Sequence, residues 1–428
     1  MTTHRIPGLV LTDHEFQIPL DHARPDGDRI TIFARDVVSP DKEHENLPWL
    51  LFLQGGPGFG APRPENSNGW LKRALKDYRV LLLDQRGTGL SSPVLSQTLA
   101  RFESPEEQVE YLKYFRADAI VLDAEWIRKQ LIGQDGQWSV LGQSYGGFCA
   151  VHYLSTAGEN LRGVIITGGL PPLTQHPDET YQATYRRVIE KNLKYYQRYP
   201  DDISRAQQIA QHLNTNDVRL PNGDRLTSNR FQQLGIAFGA SNGFEQVHYL
   251  LEDAFVHTAD GLQLSYTFLR GFENAQAYET NPIYAILHES IYCQGFASKW
   301  SAHRVREQYP EFQIKPGKPV YFTGEMIYPW MFDEYKQLQP IKEAADLLAN
   351  FDGWPALYDI PTLNNNQVPV VASVYYNDMY VEREISEQTA KEIRQLRLWI
   401  TNEYEHSALR LHGGELLDRL LKMLHGDL

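Results

Sequence analysis

The sequence predicts an α/β protein: a mostly parallel sheet flanked by helices, with a large, mainly helical cap inserted after the sixth strand. Three observations carry this. Short continuous apolar runs alternate with helix-competent stretches through residues 48–169, as in a buried parallel sheet with crossover helices. One junction, Trp138 to Val151, reads as strand, tight turn and helix in immediate succession. Strand-type runs stop at Pro171-Pro172 and resume only at Val368, which makes residues 171–366 an insertion and residues 1–170 with 367–428 a single sheet domain.

Taken in order, Glu15 to Leu20 and Arg29 to Val38 read as an antiparallel opening around the polar turn Arg24-Pro25-Asp26-Gly27-Asp28. Pro48 to Leu53 is a buried run that ends in Gln54-Gly55-Gly56-Pro57-Gly58-Phe59-Gly60, a loop whose glycines let backbone approach a ligand. A short helix over Gly69 to Lys76 leads to the buried run Tyr78 to Leu83, which ends in Asp84-Gln85-Arg86-Gly87-Thr88-Gly89-Leu90-Ser91. One helix is expected over roughly Pro105 to Leu131, and Leu161 to Gly169 is the sixth strand. The insertion reads as helical, with polar–aromatic stretches such as Thr180 to Tyr199 and Gly243 to Phe255. Strands at Val368 to Tyr376 and Leu396 to Thr401, a helix from Glu384 to Arg394 between them, and a closing helix from Gly414 to Leu424 complete the chain.

Composition narrows the function. The 428 residues are 42% hydrophobic and 22% charged, ordinary for a globular chain. No apolar run reaches the about 18 residues of a membrane span, and the opening MTTHRIPGLVLTDHEF has no apolar leader core, so cytoplasmic residence is the default expectation. A net charge of −13 argues against nucleic acid or anionic membrane as partner. Cys149 and Cys293 form neither a disulfide framework nor a metal-ligand spacing, and the glycine loop is not followed by the Gly-Lys-Ser/Thr of a phosphate cradle. No cofactor or metal is implied.

The chemistry is expected at Gly142-Gln143-Ser144-Tyr145-Gly146. Glycines flanking a serine permit a sharp turn between strand and helix, which lifts the Ser144 hydroxyl above the sheet while the helix behind it aims free N–H groups at the same point. A serine hydroxyl needs a base, and the base needs a carboxylate to orient it. Following Ser144, the order acid then histidine, each at a strand end, selects Asp378 after Val370 to Tyr376 and His406 after Leu396 to Thr401. They lie one strand–helix–strand crossover apart. His412 is the rival base, and Asp352 and Asp359 are rival acids that precede their strand. An oxyanion hole needs two backbone donors, expected at Tyr145 and in the glycine loop at Gly56.

With Gly55-Gly56-Pro57-Gly58, Asp84-Gln85-Arg86-Gly87-Thr88-Gly89-Leu90-Ser91 and the Ser144 turn together, the chain resembles the proline iminopeptidases, serine peptidases of the α/β-hydrolase fold. It is most similar to their longer branch, through its large insertion and the segments Asn377 to Val381 and Asn402 to His406. It departs from the family at Gln54, where His is frequent; a backbone oxyanion donor survives that change. The resemblance implies release of N-terminal proline from small peptides, and glutamates from the insertion that meet the substrate's free amine. Physics agrees that a cationic terminus in an apolar pocket needs a carboxylate. Glu289 and Glu325, set among apolar and aromatic residues, come first; Glu245 and Glu252 lie in another aromatic stretch. Two other readings remain open: an esterase or amidase of the same fold, and a non-catalytic binding module, which the complete Ser144–Asp378–His406 set disfavours.

Overall fold

The computed structural model describes residues 2–428; residue 1, where the expected sheet domain begins, lies outside them. Nine strands form one sheet: β1 (Thr2–Ile6), β2 (Leu9–Pro19), β3 (Arg29–Val38), β4 (Trp49–Leu53), β5 (Arg79–Leu83), β6 (Trp138–Gln143), β7 (Leu161–Thr167), then β10 (Val370–Tyr375) and β11 (Leu396–Thr401), separated from the rest by a small hairpin of β8 (Phe255–Thr258) and β9 (Gly261–Leu264). The spatial order is β1-β2-β3-β5-β4-β6-β7-β10-β11. Pairing is antiparallel from β1 through β3 to β5 and parallel from β5 to β11.

The central strands are apolar on both faces because both faces are covered. In β4, Leu51 and Leu53 point into one core with the helices Ala117–Ile132 and Tyr145–Ala157. Leu50 and Phe52 point into the other, with the helices Gly69–Ala74 and Gly413–His425. Alternation with period two thus feeds two layers from one short run.

Three differences from the sequence reading have physical causes. The insertion follows the seventh strand and not the sixth, because β1 pairs on the sheet edge with polar, exposed residues and carries no apolar alternation. The single helix expected over Pro105 to Leu131 is two, Pro105–Leu112 and Ala117–Ile132. The break falls at Arg116, whose backbone is extended and whose buried guanidinium donates to the carbonyls of Ser290, Cys293 and Pro355. Third, the mainly helical stretch between β7 and β10 contains the β8–β9 hairpin, whose residues are largely exposed.

That stretch is bonded to the loops at the C-terminal ends of the strands. Ile283 packs so closely that a Cβ at Gly58 would press on its side chain at 2.8 Å. The Gly239 carbonyl accepts from the His406 N–H at 3.1 Å, the Ser241 N–H donates to the Ser407 hydroxyl at 3.1 Å, and Lys191 pairs with Glu405 at 2.6 Å.

Candidate active site

The turn after β6 is as sharp as its glycines allow. Ser144 has φ 53° and ψ −123°, a conformation that costs a non-glycine residue about 1–3 kcal/mol. The surrounding packing holds it there. A Cβ at Gly146 would overlap the Leu53 carbonyl oxygen, and one at Gly142 would overlap the backbone of Gly146. The Ser144 N–H donates to the Thr167 carbonyl at 2.9 Å, tying the turn to β7. Tyr145 opens the following helix, so its N–H has no partner within that helix.

Asp378 and His406 come together from the ends of β10 and β11. Asp378 Oδ2 accepts from His406 Nδ1 at 2.7 Å, and Oδ1 accepts from the N–H groups of Tyr380 and Val381 at 2.9 and 3.1 Å. Both oxygens act as acceptors, the pattern of an ionised carboxylate, so the imidazole proton sits on Nδ1 and leaves Nε2 free to accept. The Tyr380 ring stands edge-on to the imidazole at 4.8 Å, and its hydroxyl donates to the Ile236 carbonyl. Burial works to lower the basicity of His406, but the charge and hydrogen bond of Asp378 outweigh it, with a smaller push from Glu325, so its pKa lies above 6.5.

Ser144 and His406 share a cavity of about 490 Å³. Gly56 lines it, as do Gln54, Phe59, Ile236, Tyr284, Glu325 and Tyr380. The rival residues lie elsewhere. His412 is exposed and packs on Tyr404, Asp352 is exposed, and Asp359 caps the helix Ile360–Asn364 through the Thr362 N–H.

Of the four glutamates, only Glu325 reaches the cavity. Its side chain is 14% exposed, Oε1 accepts from the Tyr284 hydroxyl at 2.5 Å, and Oε2 lies 4.0 Å from His288 Nε2. Burial pushes its carboxyl up to about 7, against the Tyr284 hydrogen bond and the His406 charge, which pull it down. His288 is no counter-charge, because burial lowers its pKa to about 3 and it stays neutral. Among the described residues no Lys or Arg forms an ion pair with Glu325. Its negative charge therefore has a place in the cavity and no fixed partner.

Glu289, more deeply buried than Glu325, faces away. Its carboxylate accepts from the N–H groups of Ser301 and Ala302 at 3.0 and 2.8 Å, at the start of the helix Ser301–Arg306. Glu245 is 35% exposed and bonded to Arg198 and Tyr199; Glu252, 43% exposed, lies beside His248 and Arg205. Neither lines the cavity. Sequence reasoning passed over Tyr284, Trp70 and Arg410, which do; Gln54, Phe59, Gln143 and Tyr380 stood in segments already singled out, without a role of their own.

A strained serine at a strand–helix turn, followed in the chain by an Asp-bound histidine at the same cavity, defines a hydrolase-type site on a doubly covered sheet, and the alpha/beta hydrolase fold family matches residues 48–412. The chain is 50% identical to a proline iminopeptidase of Aeromonas sobria over 98% of its own length and 97% of that protein. It is 36% identical to one from Aspergillus aculeatus over 98% of its own length and 95% of that protein. A third, from Thermoplasma volcanium, matches at 33% identity over 33% of the chain and 43% of its own length. The chain belongs to the proline iminopeptidases.

Proposed function

We propose that this enzyme is a serine exopeptidase that releases N-terminal proline from small peptides through an acyl-enzyme. The observation that carries the reading is the uncompensated carboxylate of Glu325 in the cavity of Ser144 and His406. An esterase has no use for such a group, which disfavours folding at neutral pH; a substrate with a cationic terminus does. We assign the sheet domain to residues 1–170 and 367–428 and the cap to 171–366. Two buried, free cysteines, Cys149 and Cys293, fit a reducing compartment, and we place the enzyme in the cytoplasm.

In this reading the prolyl ammonium sits against Glu325 and the pyrrolidine ring against Phe59, Tyr284 and Ile236. The Ser144 hydroxyl gives its proton to His406 Nε2 as its oxygen attacks the prolyl carbonyl carbon. The oxyanion receives the N–H groups of Tyr145 and Gly56. His406 then protonates the leaving amine, the C–N bond breaks, and proline remains as an ester on Ser144. Water attacks that ester, giving a proton to His406, which returns it to Ser144 as proline leaves. Asp378 holds the tautomer and stabilises the imidazolium.

The test compares proline naphthylamide with its N-acetyl derivative. The free amine should be cleaved at least about a hundredfold faster in kcat/KM, the effect of denying a buried charge its partner. A folded Ser144→Ala variant should lose nearly all turnover. Efficient cleavage of the N-acetyl compound would remove amine recognition and leave a general hydrolase.

A further inference from the structure

The cavity has a second unmatched charge, of opposite sign. Arg410 is the one cationic side chain in its lining, as Glu325 is the one carboxylate. Arg410 lies on the short helix Ala408–Leu411, directly after His406 in the chain. Among the described residues its guanidinium makes no hydrogen bond and no ion pair. Arg410 is exposed, and other exposed arginines such as Arg101, Arg162 and Arg186 are likewise unpaired among the described residues; what sets Arg410 apart is its place in the lining of this cavity. Arg410 is close enough to oppose the positive charge of protonated His406.

Its position relative to the reaction follows from the proton transfers. His406 must hand a proton to the departing nitrogen, so the leaving group lies on the imidazole's side of the scissile bond. Leu409 and Arg410 follow His406 on the next helix, and they line the cavity together with the Phe52–Trp70 pair, stacked at 4.6 Å. The two halves meet tightly: a Cβ at Gly413, two residues past the Arg410 helix, would press on Trp70 Cβ at 2.7 Å. An apolar wall beside a free guanidinium suits an apolar residue that bears its own terminal carboxylate.

We propose that Arg410 binds the C-terminal carboxylate of the leaving group, so that the enzyme reads both charged ends of a zwitterionic di- or tripeptide and favours these over longer or C-terminally blocked substrates. The inference rests on the aminopeptidase reading above and narrows it to very short peptides. Glu325 and Arg410 then act as the two poles of one site, matched to the dipole of the substrate. Product inhibition follows the same logic: the released amino acid or dipeptide bears the same carboxylate and competes for Arg410.

The experiment measures kcat/KM for Pro-Leu and Pro-Leu-Gly beside their C-terminal amides, at a pH well above the range in which His406 titrates. The wild type should prefer the acid over the amide by about tenfold at one or both lengths, as for a charge-assisted contact partly open to solvent. Arg410→Gln should bring that ratio to near one, and Arg410→Lys should keep part of it. Because the ratio is taken within each enzyme, altered folding yield or His406 basicity cancels. Without any variant, raising salt to about 1 M, where the screening length is about 3 Å, should shrink the wild-type preference. Equal cleavage of acid and amide by the wild type at both lengths, or a preference that survives in Arg410→Gln, would overturn the inference while leaving the aminopeptidase intact. Failure of the wild type to cleave either form would overturn both.

Discussion

Replacing Glu325 by Gln separates substrate recognition from the chemistry. The amide keeps the shape of the wall and can still accept from Tyr284 at its oxygen; what it removes is the negative charge. The magnitude follows from the carboxyl's own titration. Holding it up at about 7 against a reference of 4.5 corresponds to about 3 kcal/mol, at about 1.4 kcal/mol per pH unit. That is the disadvantage of an uncompensated anion in this wall, and a bound ammonium offsets most of it. In the variant the ammonium occupies the same surroundings with no opposite charge. At about pH 8, kcat/KM for proline naphthylamide should fall by about 2–3 kcal/mol, or about 30- to 150-fold. The loss should appear chiefly in KM, with some in kcat as the scissile bond drifts from Ser144. A small neutral ester with no amine should lose far less. Stability should move the other way. A carboxyl whose folded pKa is raised contributes stability below its unfolded pKa and forfeits it as pH rises through 7, so Glu325→Gln should resist denaturant better than wild type at about pH 8, by up to about 3 kcal/mol. Equal losses on amine and ester, or an intact KM for the naphthylamide, would refute the reasoning.

Three further outcomes are expected. Asp378→Asn should lower kcat by about 10³- to 10⁴-fold with little change in KM, because the amide holds the wrong tautomer of His406, and His406→Ala should be as damaging while His412→Ala is mild; single-turnover and steady-state rates decide. The acid limb of kcat/KM should fall through about pH 7 with a limiting slope near two, since His406 must be neutral and Glu325 ionised in the free enzyme, and Glu325→Gln should reduce that slope to one. Glu289→Ala should cost about 1–2 kcal/mol in denaturant unfolding, by leaving the N–H groups of Ser301 and Ala302 without their acceptor, and should leave KM for proline naphthylamide nearly unchanged.

What was legible in the sequence was local. The β6–turn–helix junction is specified within a few residues, because a turn this sharp leaves no room for a Cβ at Gly142 or Gly146, and Asp378 and His406 follow from being at the ends of apolar runs. The glutamates were not legible for a physical reason. Apolar neighbours in the chain predict burial, and both Glu289 and Glu325 are largely buried; they do not predict direction. Direction came from distant partners. The helix Ser301–Arg306 begins at Trp300, which offers no side-chain cap, and Glu289 supplies one from another segment. Glu325 is aimed by Tyr284, 41 residues earlier. Arg116 makes the same point for the broken helix, since its three carbonyl partners lie at least 174 residues away in the chain. Trp70 and Arg410 carried no motif, and only the meeting of the helices at 69–74 and 408–411 gives them a common purpose.

The bonds from Gly239 to His406, from Tyr380 to Ile236 and from Lys191 to Glu405 set terms for anyone wishing to reshape this enzyme. The inserted stretch is part of the scaffold that holds the His406 loop, so trimming it to admit bulkier peptides should blunt the chemistry along with the selectivity. Grafting the same stretch onto a related sheet should carry selectivity across only if the host's histidine loop is transplanted with it. Useful variation is better sought around Pro62 and Trp70, which line the cavity without taking part in these bonds, so that a changed side chain alters what the enzyme accepts and leaves the contacts of His406 in place.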